Sequence, residues 1–186
     1  MNGNSEGNHS TAVLPDPISV GLWYAVHTRS RHERMVCTAL MSKDFHVFLP
    51  ERVTWSRRQD RRKQISVPLF PGYLFVSPNG RLENLHEVKC TRGVVRILGV
   101  NGLPLPVSLR EVESLRLLVA SGELCRPVSY LVPGNRVRVL DGPLTGAEGM
   151  ILRHGGKKRL IVSIELMQRS VAVELPECQL EKIADR

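Results

Sequence analysis

The chain has 186 residues, 42% of them hydrophobic, which is enough for one ordinary core or for a domain of about 100 residues with a smaller companion. Its 26 Lys and Arg against 18 Asp and Glu give a formal charge of +8, which favours a polyanion or an acidic protein surface as partner without choosing between them. The four cysteines and six histidines show no C-x-x-C, H-E-x-x-H or finger spacing, and no run approaches the roughly 18 apolar residues of a membrane span, so neither a metal nor a membrane is expected.

Residues 1–19, "MNGNSEGNHSTAVLPDPIS", offer little apolar surface to offset ordering entropy and read as a disordered leader. The first strand is predicted at "LWYAVHT", 22–28, from its aromatic and β-branched residues. "SRHERMVCTAL" follows as a helix, with Ser30 as N-cap and Glu33 completing a capping box, and with Met35, Val36, Ala39 and Leu40 at helical spacing. "FHVFLPERVTW", 45–55, resumes an extended pattern. Then "SRRQDRRKQ" sets Arg57, Arg58, Arg61, Arg62 and Lys63 against Asp60 alone; such crowded like charge belongs in a solvated loop or hairpin tip.

"ISVPLFPGYLFVS" returns to sheet propensity. Pro71 fixes one backbone angle and Gly72 opens conformations closed to other residues, so the pair turns the chain sharply into a strand at 73–76. Tyr73 and Phe75 then share one face of that strand, and Leu74 and Val76 the other. Beyond a short helix and a loop with a short strand, Leu109, Val112, Leu115, Leu118 and Val119 recur at helical intervals, with Ser108 as N-cap and Glu111 at the capping-box position. An antiparallel sheet with helices packed on it buries both patterns.

The texture changes at "SGELCRPVSYLVP", whose Gly122, Pro127 and Pro133 mark a linker. The predicted organisation is a leader at 1–19, a first domain at 20–120, a linker at 121–132 and a second domain at 133–184. In the second domain "RVRVL" alternates as a half-buried strand, and "DGPLTGAEG" supplies turn glycines without the G-x-x-x-x-G-K-[ST] of a phosphate loop. Val171, Val173 and Leu175 alternate with Ala172 and Glu174, giving one inward face in a small barrel. Lys157, Lys158 and Arg159 are expected at a wet hairpin tip. No serine elbow, metal constellation or phosphate fingerprint appears, so an enzyme is not expected.

"WYAVHTRSRHE", "LFPGYLFV", "TRGVVRILG" and "VPGNRVRVLDGPLTGAEGMI" occur in the order of the bacterial NusG family of transcription elongation factors, which the chain resembles over residues 22–184. The resemblance implies an α+β protein: an NGN domain with an antiparallel sheet and flanking helices, followed by a small five-stranded SH3-like KOW β-barrel. It implies a monomeric cytoplasmic factor without cofactors that binds the clamp helices of RNA polymerase and modulates pausing or termination. The positions matching the family's polymerase-binding patch are Trp23, Tyr24, Phe70 and Tyr73, with Thr91, Val94 and Ile97 from the segment 91–97. Arg57, Arg58, Arg61, Arg62 and Lys63 are then expected beside upstream DNA or the exposed non-template strand, contacting phosphate without specifying bases.

The KOW barrel of the family recruits ribosomal protein S10 or the termination factor Rho. General members carry a Phe-Gly-Arg after a strand ending in "VSI"; here "VSIELMQR" has no phenylalanine and a longer connection, which leaves Leu166 and Met167 as the apolar contacts and resembles specialised antiterminator-like paralogues. A specialised relative stores this domain as a helical hairpin, but the Val- and Ile-rich runs here predict a β domain, with local tolerance for helix at "SIELMQR". The alternative reading is a KOW-containing ribosome- or RNA-binding protein.

Overall fold

The computed structural model describes residues 21–56, 63–78, 84–129, 135–154, 157–175 and 180–183. The expected leader, Arg57, Arg58, Arg61 and Arg62 lie outside the described residues, as does Cys178. The first half of the chain runs β1 (Trp23–Thr28), α1 (Glu33–Met41), β2 (His46–Phe48), β3 (Glu51–Trp55), β4 (Gln64–Pro68), β5 (Tyr73–Ser77) and α2 (Asn84–Cys90). It continues through β6 (Val94–Ile97), β7 (Gly99–Val100), β8 (Leu103–Pro104), β9 (Pro106–Val107) and α3 (Leu109–Ala120). Next come β10 (Arg126–Ser129), β11 (Asn135–Val139), β12 (Glu148–His154), β13 (Lys157–Ile164), a 3-10 turn (Glu165–Met167), β14 (Arg169–Leu175) and β15 (Leu180–Lys182).

The first sheet has the order β2-β5-β1-β6, with β9 also paired to β1, and every pairing is antiparallel. Because side chains alternate along β1, its two faces feed two cores. Tyr24 and Val26, with Leu74 and Val76 of β5, pack with Val36 and Leu40 of α1 and Leu85 and Val88 of α2. Trp23 and Ala25 face the other way with Phe75, as the period of β5 predicts. The β3–β4 hairpin and the β7–β8 hairpin stand apart as two-stranded ribbons.

The second sheet has the order β10-β14-β13-β12-β11-β15, again antiparallel, and contains six strands where five were expected. The additional strand is β10, which lies within the segment expected as linker: Pro127 is paired opposite Val171 at the sheet's edge, a position compatible with a residue that lacks an N–H. No pairing between β10 and β15 closes the sheet among the described residues. Arg159, expected at a wet tip, lies along the ladder with its guanidinium 3.5 Å from Glu174. "SIELMQR" gives a single 3-10 turn, which Gln168 ends in the left-handed region at φ 51°.

Both predicted capping boxes are replaced by other contacts. Helix α1 begins after His32, not Ser30, and Glu33 sends its Oε1 to accept the Gly72 N–H at 2.7 Å. Ser108 is the N-cap of α3 but makes no side-chain cap bond, while Glu111 accepts the backbone N–H of Glu165 at 3.3 Å. In each case a tertiary donor captures the carboxylate that local sequence reserves for the helix start.

Candidate functional site

Helix α3 carries two adjoining stripes. Val112, Leu115 and Leu118 are buried in a core that continues from Trp23, Phe70 and Phe75 of the first unit into Val139, Leu144, Leu160 and Val162 of the second. The other stripe, Glu111, Ser114 and Leu117, recurs every third residue and meets the second sheet. Ser114 Oγ accepts the N–H of Glu148 at 2.8 Å, and a Cβ placed on Gly146 would stand 3.7 Å from Leu117 Cδ1.

Charge reinforces the contact. The Glu148 carboxylate is nearly buried and receives Arg138 at 2.7 Å and Arg136 at 3.3 Å from its own sheet, with Arg110 of α3 at 3.8 Å. Burial pushes the Glu111 carboxyl up to about 7, opposed by the Glu165 N–H it accepts, raised further by the Glu165 carboxylate and lowered by Arg136. The Arg169 guanidinium of β14 lies 5.1 Å from the centre of the Tyr73 ring of β5, within cation–π range. Tyr73 in turn stacks on His27 at 4.9 Å.

The seven positions of the expected polymerase-binding patch are therefore not one surface. Trp23, Phe70 and Tyr73 belong to the face covered by the second unit; Phe70 is 1% exposed and Trp23 4%. Tyr24, Val94 and Ile97 belong to the opposite core beneath α1 and α2. Thr91 is buried at the end of α2, where its hydroxyl donates to the Glu87 carbonyl at 3.0 Å and receives Lys43 Nζ at 3.5 Å. Alternation in β1 separates Trp23 from Tyr24, since neighbours in sequence point to opposite sides of a strand.

Leu166 and Met167 sit in the 3-10 turn. Met167 is buried and Leu166 is half-buried against the shared core, at a recess of about 400 Å³ that Arg96, Leu98 and Gly102 also line. Of the basic segment, Lys63 is described: it is exposed, and its carbonyl accepts the Ser56 N–H at 2.8 Å. Among the described residues no cluster of His, Cys, Asp or Glu has the arrangement of a metal site, and no helix is long and apolar enough to cross a membrane.

The sequence reading missed the α3 stripe as an interface. Its signal was a buried serine and a displaced acid inside an otherwise ordinary amphipathic helix, two features that acquire meaning only against the second sheet.

Comparison with known proteins agrees with this architecture. A family model described as NusG, transcription termination factor nusG, matches residues 21–116. The transcription termination/antitermination protein NusG of Pseudomonas aeruginosa is 30% identical over 173 residues, covering 87% of this chain and 98% of that protein. The protein of the same name from Escherichia coli strain K12 is 32% identical over 175 residues, covering 86% of this chain and 95% of its own. A solved structure of Thermotoga maritima NusG, described by its domain interaction, shares the fold with a TM-score of 0.53 at 23% identity, covering 88% of this chain and 97% of that one. With a family model across more than half its length and relatives matched nearly end to end, the chain belongs to the NusG family, whose curated members named here are transcription termination/antitermination proteins.

Proposed function

We propose that this protein is a transcription elongation factor that binds RNA polymerase through the sheet face bearing Trp23, Phe70 and Tyr73, and thereby modulates pausing or termination. The observation that supports it is an aromatic face of the NusG-matched unit that packs against a second unit rather than only against its own helices. Large rings supply contact area at small rotamer cost, and a few such anchors dominate a typical protein interface. Engagement requires the second sheet to move off α3, so the closed arrangement is the resting form and polymerase selects the open one. The shift is limited to the difference between polymerase affinities for the two forms.

Under this reading the stretch 121–125 between α3 and β10 lets the units separate, and release exposes the turn with Leu166 and Met167 for a further partner. Ribosomal protein S10 and Rho are the partners the family resemblance suggests, and the missing phenylalanine favours an operon-specific paralogue over a general factor. Arg57, Arg58, Arg61, Arg62 and Lys63 hold nearby upstream DNA or non-template strand through phosphate.

Phe70→Ala is a poor probe because emptying a core aromatic site costs about 3–5 kcal/mol of stability. Tyr73 is half-buried, so Tyr73→Ala tests recognition with the fold retained. Binding to purified core polymerase should weaken roughly 10-fold or more while the unfolding midpoint moves little. Unchanged polymerase affinity in a folded Tyr73→Ala protein, together with unchanged pause lifetimes at saturating wild type, would refute the assignment.

A further inference from the structure

Trp55 is the one exposed ring of Trp, Tyr or Phe among the described residues. It is 60% exposed at the end of β3, whereas Trp23, Tyr24 and all four phenylalanines are buried and Tyr73 is half-buried. Residues alternate across the β3–β4 ribbon, so Val53, 57% exposed, lies on the same face as Trp55, and their cross-strand partners are Ser66 and Gln64. That face thus carries an apolar strip about two residues long, edged by amide and hydroxyl groups, and no ring or cation covers Trp55 among the described residues.

The sequence around this strip is predominantly basic. Lys63 is exposed beside it, directly after the segment 57–62, which contains four arginines and one aspartate. The acid near the base of the ribbon is already engaged: Glu51 accepts Arg34 Nε at 2.8 Å and Ser66 Oγ at 2.9 Å. An indole face with a cationic rim matches a polymer that alternates planar bases with phosphates, and stacking requires the base to be unpaired. An acidic peptide would satisfy the cations and leave the indole wet.

We infer that Trp55 is a stacking platform for an unpaired DNA base, with Val53 continuing the apolar track and Lys63 taking the adjacent phosphate. The inference rests on the proposed placement of the basic segment near DNA and adds to it a ring that distinguishes unpaired from duplex strands.

The chain has two tryptophans, and Trp23 is buried out of reach of a ligand, so quenching by a stacked base reports Trp55 over a constant Trp23 background. We would titrate the full chain with a twelve-residue oligo-dT, its duplex and oligo-rU. Wild type should show tryptophan quenching with oligo-dT. Trp55→Ala should lose roughly 5- to 150-fold in oligo-dT affinity with little change for duplex, and Trp55→Phe should keep most of it. The exposed site makes Trp55→Ala safe for folding, which the thermal midpoint checks. Equal oligo-dT affinity in Trp55→Ala with salt-sensitive binding intact would overturn the stacking role and leave the basic-segment reading standing. Absence of binding to every nucleic acid by wild type would overturn both, and tighter binding of oligo-rU than oligo-dT would overturn the assignment to DNA.

Discussion

At the scale of single residues, the turn between β4 and β5 is held by an acid from a distant helix. Glu33 is buried, and its Oε1 takes the Gly72 N–H at 2.7 Å while Gly72 itself sits at φ +84°. A left-handed glycine whose amide is satisfied by a side chain fixes the path from Phe70 into Tyr73, and so the orientation of both rings. Glu33→Ala leaves a buried N–H without its acceptor, a loss of about 1–3 kcal/mol, whereas Glu33→Gln retains a carbonyl acceptor and should lose less. Urea midpoints of the two variants check the order; equal midpoints would show that the bond contributes nothing. Gly93 makes a second fixed point. At φ +96° a Cβ there would stand 2.8 Å from Met35 Cε and 2.9 Å from Val36 Cγ2, so Gly93→Ala combines backbone strain with a clash against α1. It should destabilise by roughly 1–3 kcal/mol, read from the same denaturant curve. The sequence suggested a glycine turn at Gly72 and a capping acid at Glu33. It could not show that the acid belongs to the turn, because the two are 39 positions apart.

Among the elements, α3 decides how the molecule is assembled. Its periodicity was legible: Val112, Leu115 and Leu118 are the buried stripe that the spacing predicts, although Leu109 of the same series is exposed. Amphipathic spacing reports that one side is covered, not that a second side is covered by another sheet. The stripe of Glu111, Ser114 and Leu117 reads as neutral surface until Glu148 and Glu165 arrive from elsewhere in the chain. That arrival makes docking depend on pH. Glu111 is raised to about 7 by burial, with the Glu165 N–H and Arg136 opposing and the Glu165 carboxylate adding to the rise. With the units apart its carboxyl returns towards the ordinary glutamate range, so the docked form holds the proton more tightly. The docked form is then unpenalised below about pH 4 and progressively weakened as pH rises from there to about 7, beyond which the penalty is constant. Small-angle scattering should give a smaller radius of gyration near pH 5.5 than near pH 8. Glu111→Gln, neutral throughout, should abolish most of that difference. A pH response unchanged in Glu111→Gln would transfer the effect to another group.

For the whole molecule, the order of strands and helices followed from local pattern, and the two-face logic of β1 and β5 was present in their alternation. What alternation omits is the identity of the neighbour. Trp23 and Tyr24 are equally aromatic and adjacent, yet one contributes to the core shared with the second sheet and the other to the core beneath α1 and α2. The apparent aromatic patch was therefore a union of two opposite faces, and the linker prediction overlooked β10 because Pro127 in a short run argues against a strand unless that strand lies at an edge. The closed arrangement sets a direct test of the functional reading. Leu117 is half-buried against the shared core and faces the Gly146 turn, while glutamate is a good helix former, so Leu117→Glu should spare α3 and weaken docking. A buried carboxylate at that seam has no counter-ion assigned to it, and its desolvation favours separation of the units. If polymerase binds only the open form, apparent affinity rises with the open fraction, up to the point at which opening no longer limits it. Leu117→Glu should thus expand the molecule in scattering and tighten polymerase binding together, while Leu117→Glu combined with Tyr73→Ala should expand it without that gain. Expansion with weaker polymerase binding in the single variant would mean that the docked face, not the freed one, is what polymerase recognises.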